Sequence, residues 1–510
     1  MARPLRSPQV ALDDAARQLP SARLVGSPVV LSGLALASNA ARPGDLFVAL
    51  PGAKTHGARH ASAALAAGAR AVLTDAAGEA LLPPGTPRIV AEDVRSHLGG
   101  LAAWFYGHPA RRLALAGITG TNGKTSAAHL LEGALREHFG KVALLGTIAA
   151  RIDGEQIPSA RTTLEAPDLQ ATFAVMVERG IEACVMEVSS HALAQHRVDG
   201  FRFDVAAFTN LSRDHLDFHG SMEAYFDAKA SLFTSAHARR GIVNLEDDWG
   251  ARLAREAGVP VETLSLAPAP GARPEPRLEH GRTDWLVRPR SARPGPTAFA
   301  LSGPGGVELE GEVALPGAYN VSNAALALVV ALAMGADGAS AARGIASVGA
   351  VPGRMEVVAA SGGGPLVVVD YAHAPDAIAK ALAALRPHTA GRLIAVLGAG
   401  GDRDHGKRAL MGRAAAAGAD SVIITDDNPR SEQPDQIRAQ LLDGAGNGAT
   451  EVPNRADAIR RAIAGAETTD TVVILGKGHE RTIDYGGELR PHLDAVVAEA
   501  ALALKMEGNE

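Results

Sequence analysis

Residues 120–125 read Gly-Thr-Asn-Gly-Lys-Thr, directly after the apolar run Leu113–Ile118 and directly before a helix-forming stretch. A loop of this kind lets successive backbone N–H groups curl around a phosphate, and the helix N-terminus adds partial positive charge. Gly120, Thr121, Asn122 and Gly123 would form the cradle, Lys124 would reach the outer phosphates and the Thr125 hydroxyl would hold a magnesium ion. The spacing departs from the common GxxxxGK[ST] pattern, with Ile118 five residues before Gly123 and glycines at 117 and 120. An ordinary glycine turn is the plainer alternative. The order strand, glycines, Lys-Thr, helix favours nucleotide phosphate binding.

Two further segments belong to the same chemistry. Cys184 to His191 reads CVMEVSSH, an apolar strand ending in Glu187, which is how a phosphate-loop protein brings a carboxylate to magnesium. Asn210 to Asp217 reads NLSRDHLD after another strand and sets His215 with two acids at the same sheet edge, where parallel sheets bind ligands. A single strand-end acid is as often a surface group; together behind a phosphate loop they read as a metal–nucleotide site. Further along, Asp427-Asn428-Pro429-Arg430 pairs a turn-fixing proline with a guanidinium fork suited to a carboxylate. For Arg430 the plainer reading is a surface ion pair. Three classes compete: an ATP-driven ligase, a GTPase-like switch and a motor or transporter subunit. The switch lacks its Asn-Lys-x-Asp guanine reader, and a motor subunit has no need of small-molecule sites elsewhere in the chain.

These residues need a scaffold, and 510 residues exceed one hydrophobic core. The expected class is α/β in three domains: a small α/β N-terminal domain (1–112), a central phosphate-loop ATPase domain on a parallel sheet (113–351) and a C-terminal Rossmann-like domain (352–510). Strands are expected at Leu46–Leu50, Ala71–Thr74, Leu113–Ile118, Val142–Leu145, Ala183–Met186, Val205–Phe208 and Gly241–Val243. In the last third they are expected at Leu366–Val369, Leu393–Leu397, Ser421–Ile424 and Thr471–Leu475. His60–Gly68 reads as a helix, Gly107-His108-Pro109 as a linker, and the alanine-rich run Ala324–Ala336 as a buried helix. The Pro-, Gly- and Arg-rich stretch 266–306 reads as surface loops with an edge hairpin.

The net charge of −6 offers no global attraction to nucleic acid or an anionic membrane. A single cysteine, Cys184, forbids an intrachain disulfide, and no apolar stretch spans a bilayer, so a cytoplasmic protein without a membrane partner is expected.

GTNGKT, MEVSSHAL, NLSRDHLDFHG, LPGAYNVSN, PGRMEVV, VDYAHAPDAI, GGDRDHGKR, DDNPRSE and LGKGHE occur in order over nearly the whole chain. Together they resemble the Mur ligase family. Folylpolyglutamate synthase is similar in its phosphate loop and general plan, but is not expected to carry the DNPR and GKGHE segments. The resemblance implies a ligase that uses ATP and Mg²⁺ to phosphorylate a carboxylate, which an amine then attacks. It implies small-molecule substrates, a UDP-muramoyl dipeptide and a diamino acid, and a monomeric protein. Diaminopimelate is the implied diamino acid, with a lysine-adding ligase as the alternative.

Residue by residue, the resemblance makes Lys124, Glu187, His215 and Lys229 catalytic, with Thr125, Glu187, His215 and Lys229 serving magnesium. Lys229 falls where the family carries a carbamylated lysine. Spacing alone makes it a surface lysine, and its amine must lose a proton first, at about 4–5 kcal/mol for an ordinary lysine at pH 7. Asn320, Asn323, Arg354, Tyr371 and His373 are implied nucleotide contacts. Thr162, Thr163, Ser189, Gln195 and Arg197 are implied for the muramoyl peptide, and Ser38 for the uridine end. Arg403, Asp427, Asn428, Arg430, Gly476 and Glu480 are implied for the diamino acid. The chain departs from the family at Ala37-Ser38-Asn39, where Asp-Ser-Arg is common, at Ala374 in place of threonine, and at Leu493-Asp494-Ala495 in place of a more acidic segment.

Overall fold

The computed structural model describes residues 3–52, 55–148, 150–157, 161–267, 284–290, 296–358 and 364–507. Three sheets carry the fold, one for each of three α/β domains. The N-terminal sheet has five strands in the order Arg23–Val25, Arg88–Val90, Ala71–Thr74, Asp45–Val48, Gly33–Ala35, parallel except at its first pair. The central sheet has eleven. Its parallel middle runs Val142–Leu145, Ala183–Glu187, Ala114–Thr119, Phe203–Phe208, Ala238–Asn244, Val261–Leu266, Trp285–Pro289. The C-terminal sheet orders six strands as Glu356–Val358, Leu366–Asp370, Thr471–Leu475, Leu393–Leu397, Ser421–Ile424, Ala449–Glu451, antiparallel only at the first pair.

The parallel strands are short apolar runs rather than alternating ones because helices cover both faces and both faces are buried. Ala183–Glu187 is buried at every position. Their registers matter for the site. Glu187 lies opposite Ile118, and Phe208 opposite Thr119, so three strands end level and release their chains at one edge. In the C-terminal sheet Asp370, Leu475, Leu397 and Ile424 are likewise level.

The phosphate-loop helix Lys124–Arg136 is buried along most of its length between the sheet and two other helices, Ala318–Ala333 and Gly338–Ala346. Alanine and glycine permit that closeness: a Cβ on Gly133 would stand 2.6 Å from the Gly344 carbonyl oxygen. The run expected as a buried helix is therefore one, spanning Ala318–Ala333. Among the described residues no helix is long and apolar enough to cross a membrane.

The stretch 266–306 carries the expected edge hairpin, but its reading as mainly loops needs correcting. Trp285–Pro289 extends the central sheet in parallel, and Thr297–Gly303 and Val307–Val313 continue it as antiparallel strands, so much of the stretch is sheet rather than loop. The prolines and arginines that read as loop concentrate at 268–283 and 291–295, outside the described residues, while Trp285, Val287, Phe299 and Leu301 bury side chains in the main core. Several other unanticipated strands, among them Ala150–Ile152, Glu155–Ile157, Glu356–Val358 and Ala449–Glu451, are three residues long, too short to show a periodicity, whereas the six-residue Val261–Leu266 was simply missed.

Candidate active site

The phosphate loop leaves its strand at Gly120, where φ is +148° and a Cβ would collide with the Thr209 hydroxyl at 1.9 Å. Only glycine fits there. The loop is tied to the neighbouring strand end: Thr121 N donates to Asn210 O at 2.8 Å, and Asn122 N to Asn210 Oδ1 at 3.0 Å. Gly123, at φ +86°, leaves room for Asn323, whose Oδ1 would lie 2.6 Å from a Cβ. Asn320 sits behind, one turn along the same helix, with its oxygen accepting from Asn323 Nδ2 at 3.2 Å. Lys124 Nζ folds back onto the carbonyls of Gly120 and Thr121, both at 2.8 Å. Burial pushes its pKa down, against the pull of Glu187.

Glu187 is fully buried and its carboxylate gathers hydroxyls. Thr125 Oγ1 donates to Oε2 at 2.9 Å, Thr147 Oγ1 to the same oxygen at 3.0 Å, and Thr147 N to Oε1 at 2.8 Å. Arg354, from the start of the C-terminal domain, reaches Thr125 Oγ1 at 3.1 Å and stacks over the Tyr371 ring at 4.4 Å. Its buried Nε has no partner among the described residues. Thr121 to Thr125, Thr162, Glu187, Ser189, His215, Asn323, Arg354, Tyr371 and His373 line one cavity of about 250 Å³, so most of the predicted nucleotide and metal residues converge.

The donor set suits a hard cation: a threonine hydroxyl and a buried carboxylate, both oxygen. Among the described residues no three His, Cys, Asp or Glu side chains are arranged to hold a metal ion by themselves, so the other positions of such an ion would fall to phosphate and water. Lys229 Nζ is fully buried 4.6 Å over the Tyr225 ring and donates to Gly120 O at 2.7 Å. Burial first, and Lys124 second, hold its amine well below the usual lysine range. His215 stands nearby at φ +54°, its ring 4.9 Å from that of His191, and burial lowers it to about 3.

Asp214 is the carboxylate that sequence reading noted only as a strand-end acid. It meets Lys407 Nζ at 3.0 Å, His373 Nε2 at 3.3 Å and His215 Nε2 at 3.6 Å. Burial alone would raise its pKa, but these neighbours hold it well below the carboxylate range. Arg213 meets Asp404 at 3.2 Å beside it. Two successive residues of the central domain are thus clamped to the C-terminal domain.

The remaining predicted residues fall into two groups. Thr163 Oγ1 donates to Glu187 O at 3.0 Å and accepts from Ser189 N at 3.1 Å; Arg197 bonds Thr163 O at 3.1 Å and Gln195, and meets Glu165 at 3.0 Å. Glu165 also draws Arg95 and Arg161, at 3.5 and 3.4 Å. Beyond it lies a second cavity of about 670 Å³ between the first two domains, lined by Ala37 and Asn39 but not by Ser38 between them. The second group gathers at the C-terminal sheet edge. Arg430, at φ +53°, reaches Gly401 O and runs past Gly400, with Arg403 alongside. A Cβ on Gly476 would lie 2.7 Å from Asp427 Oδ2. Asn428 Nδ2 donates to Glu480 Oε2 at 2.8 Å.

Lys477 sits at the centre of this group and was missed. Its side chain is 0% exposed, and Nζ donates to Glu480 Oε2 at 2.7 Å and Asn428 Oδ1 at 3.0 Å. A charge count of LGKGHE could have singled it out, as could one of GGDRDHGKR for Lys407. Thr147 had no signal in any motif; only the turn after Val142–Leu145 brings it to Glu187.

Residues 30–106 match the Mur ligase family catalytic domain, 118–331 the Mur ligase middle domain, and 353–478 the Mur ligase glutamate ligase domain. The UDP-N-acetylmuramoyl-L-alanyl-D-glutamate–2,6-diaminopimelate ligase of Streptomyces coelicolor is 48% identical, over 98% of both chains. That of Corynebacterium glutamicum is 46% identical, over 91% of this chain and 90% of its own. A solved structure of a ligase with that name superposes with a TM-score of 0.63 at 33% identity, covering 94% of this chain and 96% of the other.

Proposed function

The chain belongs to the Mur ligase family, and from that premise we propose that it adds diaminopimelate, in its meso form, to UDP-N-acetylmuramoyl-L-alanyl-D-glutamate, using ATP. The observation that carries the reading is the meeting of Thr125, Glu187 and Arg354 from two domains in one cavity, with a charged amino-acid cluster on the adjacent sheet edge. The working units are residues 1–112, 113–351 and 352–510.

The reaction needs alignment and charge neutralisation more than covalent help. The substrate carboxylate attacks the γ-phosphorus, ADP leaves, and the amine then attacks the acyl phosphate and expels inorganic phosphate. The amides of residues 120–125 and Lys124 hold the phosphates; Asn323, backed by Asn320, and Arg354, Tyr371 and His373 hold the nucleotide from either side. Thr125 and Glu187 would hold one Mg²⁺ and His215 a second, which would neutralise charge building on the transferring phosphoryl group. Burial and the neighbouring Lys124 favour the uncharged amine of Lys229, the form that reacts with carbon dioxide, and as a carbamate it would support the second ion.

Thr162, Thr163, Ser189, Gln195 and Arg197 place the muramoyl peptide, with its uridine end toward the larger cavity near Ser38. Arg403 and Arg430 offer guanidinium groups to the distal carboxylate of the diamino acid. Asp427, Asn428, Gly476 and Glu480 receive its distal ammonium. Lysine lacks that carboxylate and would leave the arginine charge unanswered.

Phosphate release by the purified protein with ATP, Mg²⁺ and UDP-N-acetylmuramoyl-L-alanyl-D-glutamate tests this. Turnover with meso-diaminopimelate and little with lysine is expected. Preference for lysine would overturn the role of Arg430, and no turnover with either would overturn the substrate assignment.

A further inference from the structure

Arg3 lies in a stretch without any motif, yet its side chain lines the larger cavity between the first two domains, together with Asn39, Arg42 and Asp168. Its guanidinium grips both oxygens of Asp45, which is fully buried, and Arg42 N donates to Asp45 Oδ2 at 2.9 Å. The pair passes tightly over Gly33, where a Cβ would stand 2.6 Å from Arg3 Nη1 and 2.4 Å from Asp45 Oδ1. The next residues are held by the other domain. Leu5 N and Arg6 N donate to the two carboxylate oxygens of Glu178, at 2.8 and 3.0 Å, at the end of the central-domain helix Ala166–Glu178. Leu5 is 95% exposed and only Pro4 is buried, so beside the Pro4 ring the Glu178 carboxylate is the polar tie of this stretch.

We propose that residues 3–6 are a strap, fastened by Glu178, whose Arg3 guanidinium binds the uridine diphosphate end of the sugar nucleotide. The proposal rests on the reading of this cavity as the sugar-nucleotide site. A guanidinium has five N–H donors. Asp45 takes up only part of that set and fixes the plane of the fork, leaving donors for ligand oxygens. Because Asp45 belongs to the first domain and Glu178 to the second, the fork is in place only when the two domains keep this relation.

The test is calorimetric binding of UDP and of UDP-N-acetylmuramoyl-L-alanyl-D-glutamate to the full chain and to the variants Glu178→Ala, Arg3→Lys and Arg3→Ala, with KM measured for each substrate. Glu178→Ala leaves Asp45 paired and is expected to weaken sugar-nucleotide binding roughly fivefold, while KM for ATP and Tm stay unchanged. Arg3→Ala should weaken it roughly tenfold or more, and Arg3→Lys should recover part of that loss. Should Arg3→Ala fail to fold because Asp45 is left unpaired, Glu178→Ala and Arg3→Lys decide alone. If both bind UDP as the unaltered chain does, or if KM for ATP moves as far as KM for the sugar nucleotide, the strap is overturned. If the unaltered chain binds neither UDP nor the sugar nucleotide, the reading of the cavity fails with it.

Discussion

At the scale of single residues, the buried charges decide what each pocket can recognise. Lys477 neutralises Glu480 and orients Asn428, so removing it leaves a partly buried carboxylate, 30% exposed, without its charged partner. Truncating one partner of a buried, hydrogen-bonded charge pair costs about 2–5 kcal/mol. Lys477→Met is therefore expected to cut kcat/KM for the diamino acid by roughly 30-fold or more, with KM for ATP unchanged and partial recovery in Lys477→Arg. Equal losses for both substrates in steady-state kinetics would contradict this. Histidines set the acid limit. Burial lowers His479 to about 4, helped by Arg354, and lowers His219 to about 4, helped by His191. Above pH 6.5 both folded and unfolded chains carry these rings neutral. Between 6.5 and about 4 only the unfolded chain takes up the protons, so stability falls as pH drops through that window. Thermal unfolding across pH 4–7 should show that slope, shallower in a His219→Asn, His479→Asn double variant.

Elements are held in register by a few polar anchors at their ends. Arg455, fully buried, bonds Asp494 through Nε and Nη2, both at 2.7 Å, and reaches Leu475 O at 2.9 Å and Asp426 O at 3.3 Å. It thus fastens the start of the C-terminal helix Asp494–Glu507 to the two strand ends that carry Asp427 and Gly476. Burial would raise the Asp494 carboxyl, but Arg455 and His492 hold it at about 2. The segment Leu493-Asp494-Ala495, unusual beside the resembling family, keeps the acid that this anchor needs. Arg455→Met should cost about 3–5 kcal/mol in chemical denaturation, because Asp494 is left buried with only His492 against it. Arg455→Met with Asp494→Leu should recover most of it; no recovery would mean that the carbonyl contacts, not the ion pair, carry the cost.

For the molecule as a whole, the C-terminal domain is clamped to the central one through Lys407–Asp214, Arg213–Asp404 and Arg354–Thr125. The Arg213 pair is solvent-exposed and worth at most about 1 kcal/mol. The Lys407 pair is buried on both sides, at 8% and 5% exposed, so it dominates. Lys407→Met should open the ligand-free molecule, read as a larger radius of gyration by small-angle scattering, and ATP analogue with sugar nucleotide should close it again. An unchanged radius would assign the closure to other contacts.

Much of this was legible in the chain alone. The phosphate loop, the strand-end Glu187 and the strands Ala71–Thr74, Val142–Leu145, Leu393–Leu397, Ser421–Ile424 and Thr471–Leu475 follow from local rules, because a parallel strand is one apolar run and a phosphate cradle is one continuous segment. After residue 284 an edge hairpin was legible, but not the parallel strand Trp285–Pro289 that joins it to the sheet, because such pairing depends on the neighbour rather than on composition. The partners of Glu187, Asp214, Glu480 and Asp45 were also beyond reach. Each meets a residue between 40 and 193 positions away, Thr147, Lys407, Asn428 and Arg3, and only tertiary packing brings such groups within hydrogen-bonding distance. Sequence by itself determined which groups could do the chemistry; tertiary structure decided which of them are already paired, because pairing is a matter of distance in space and spacing along the chain does not set it.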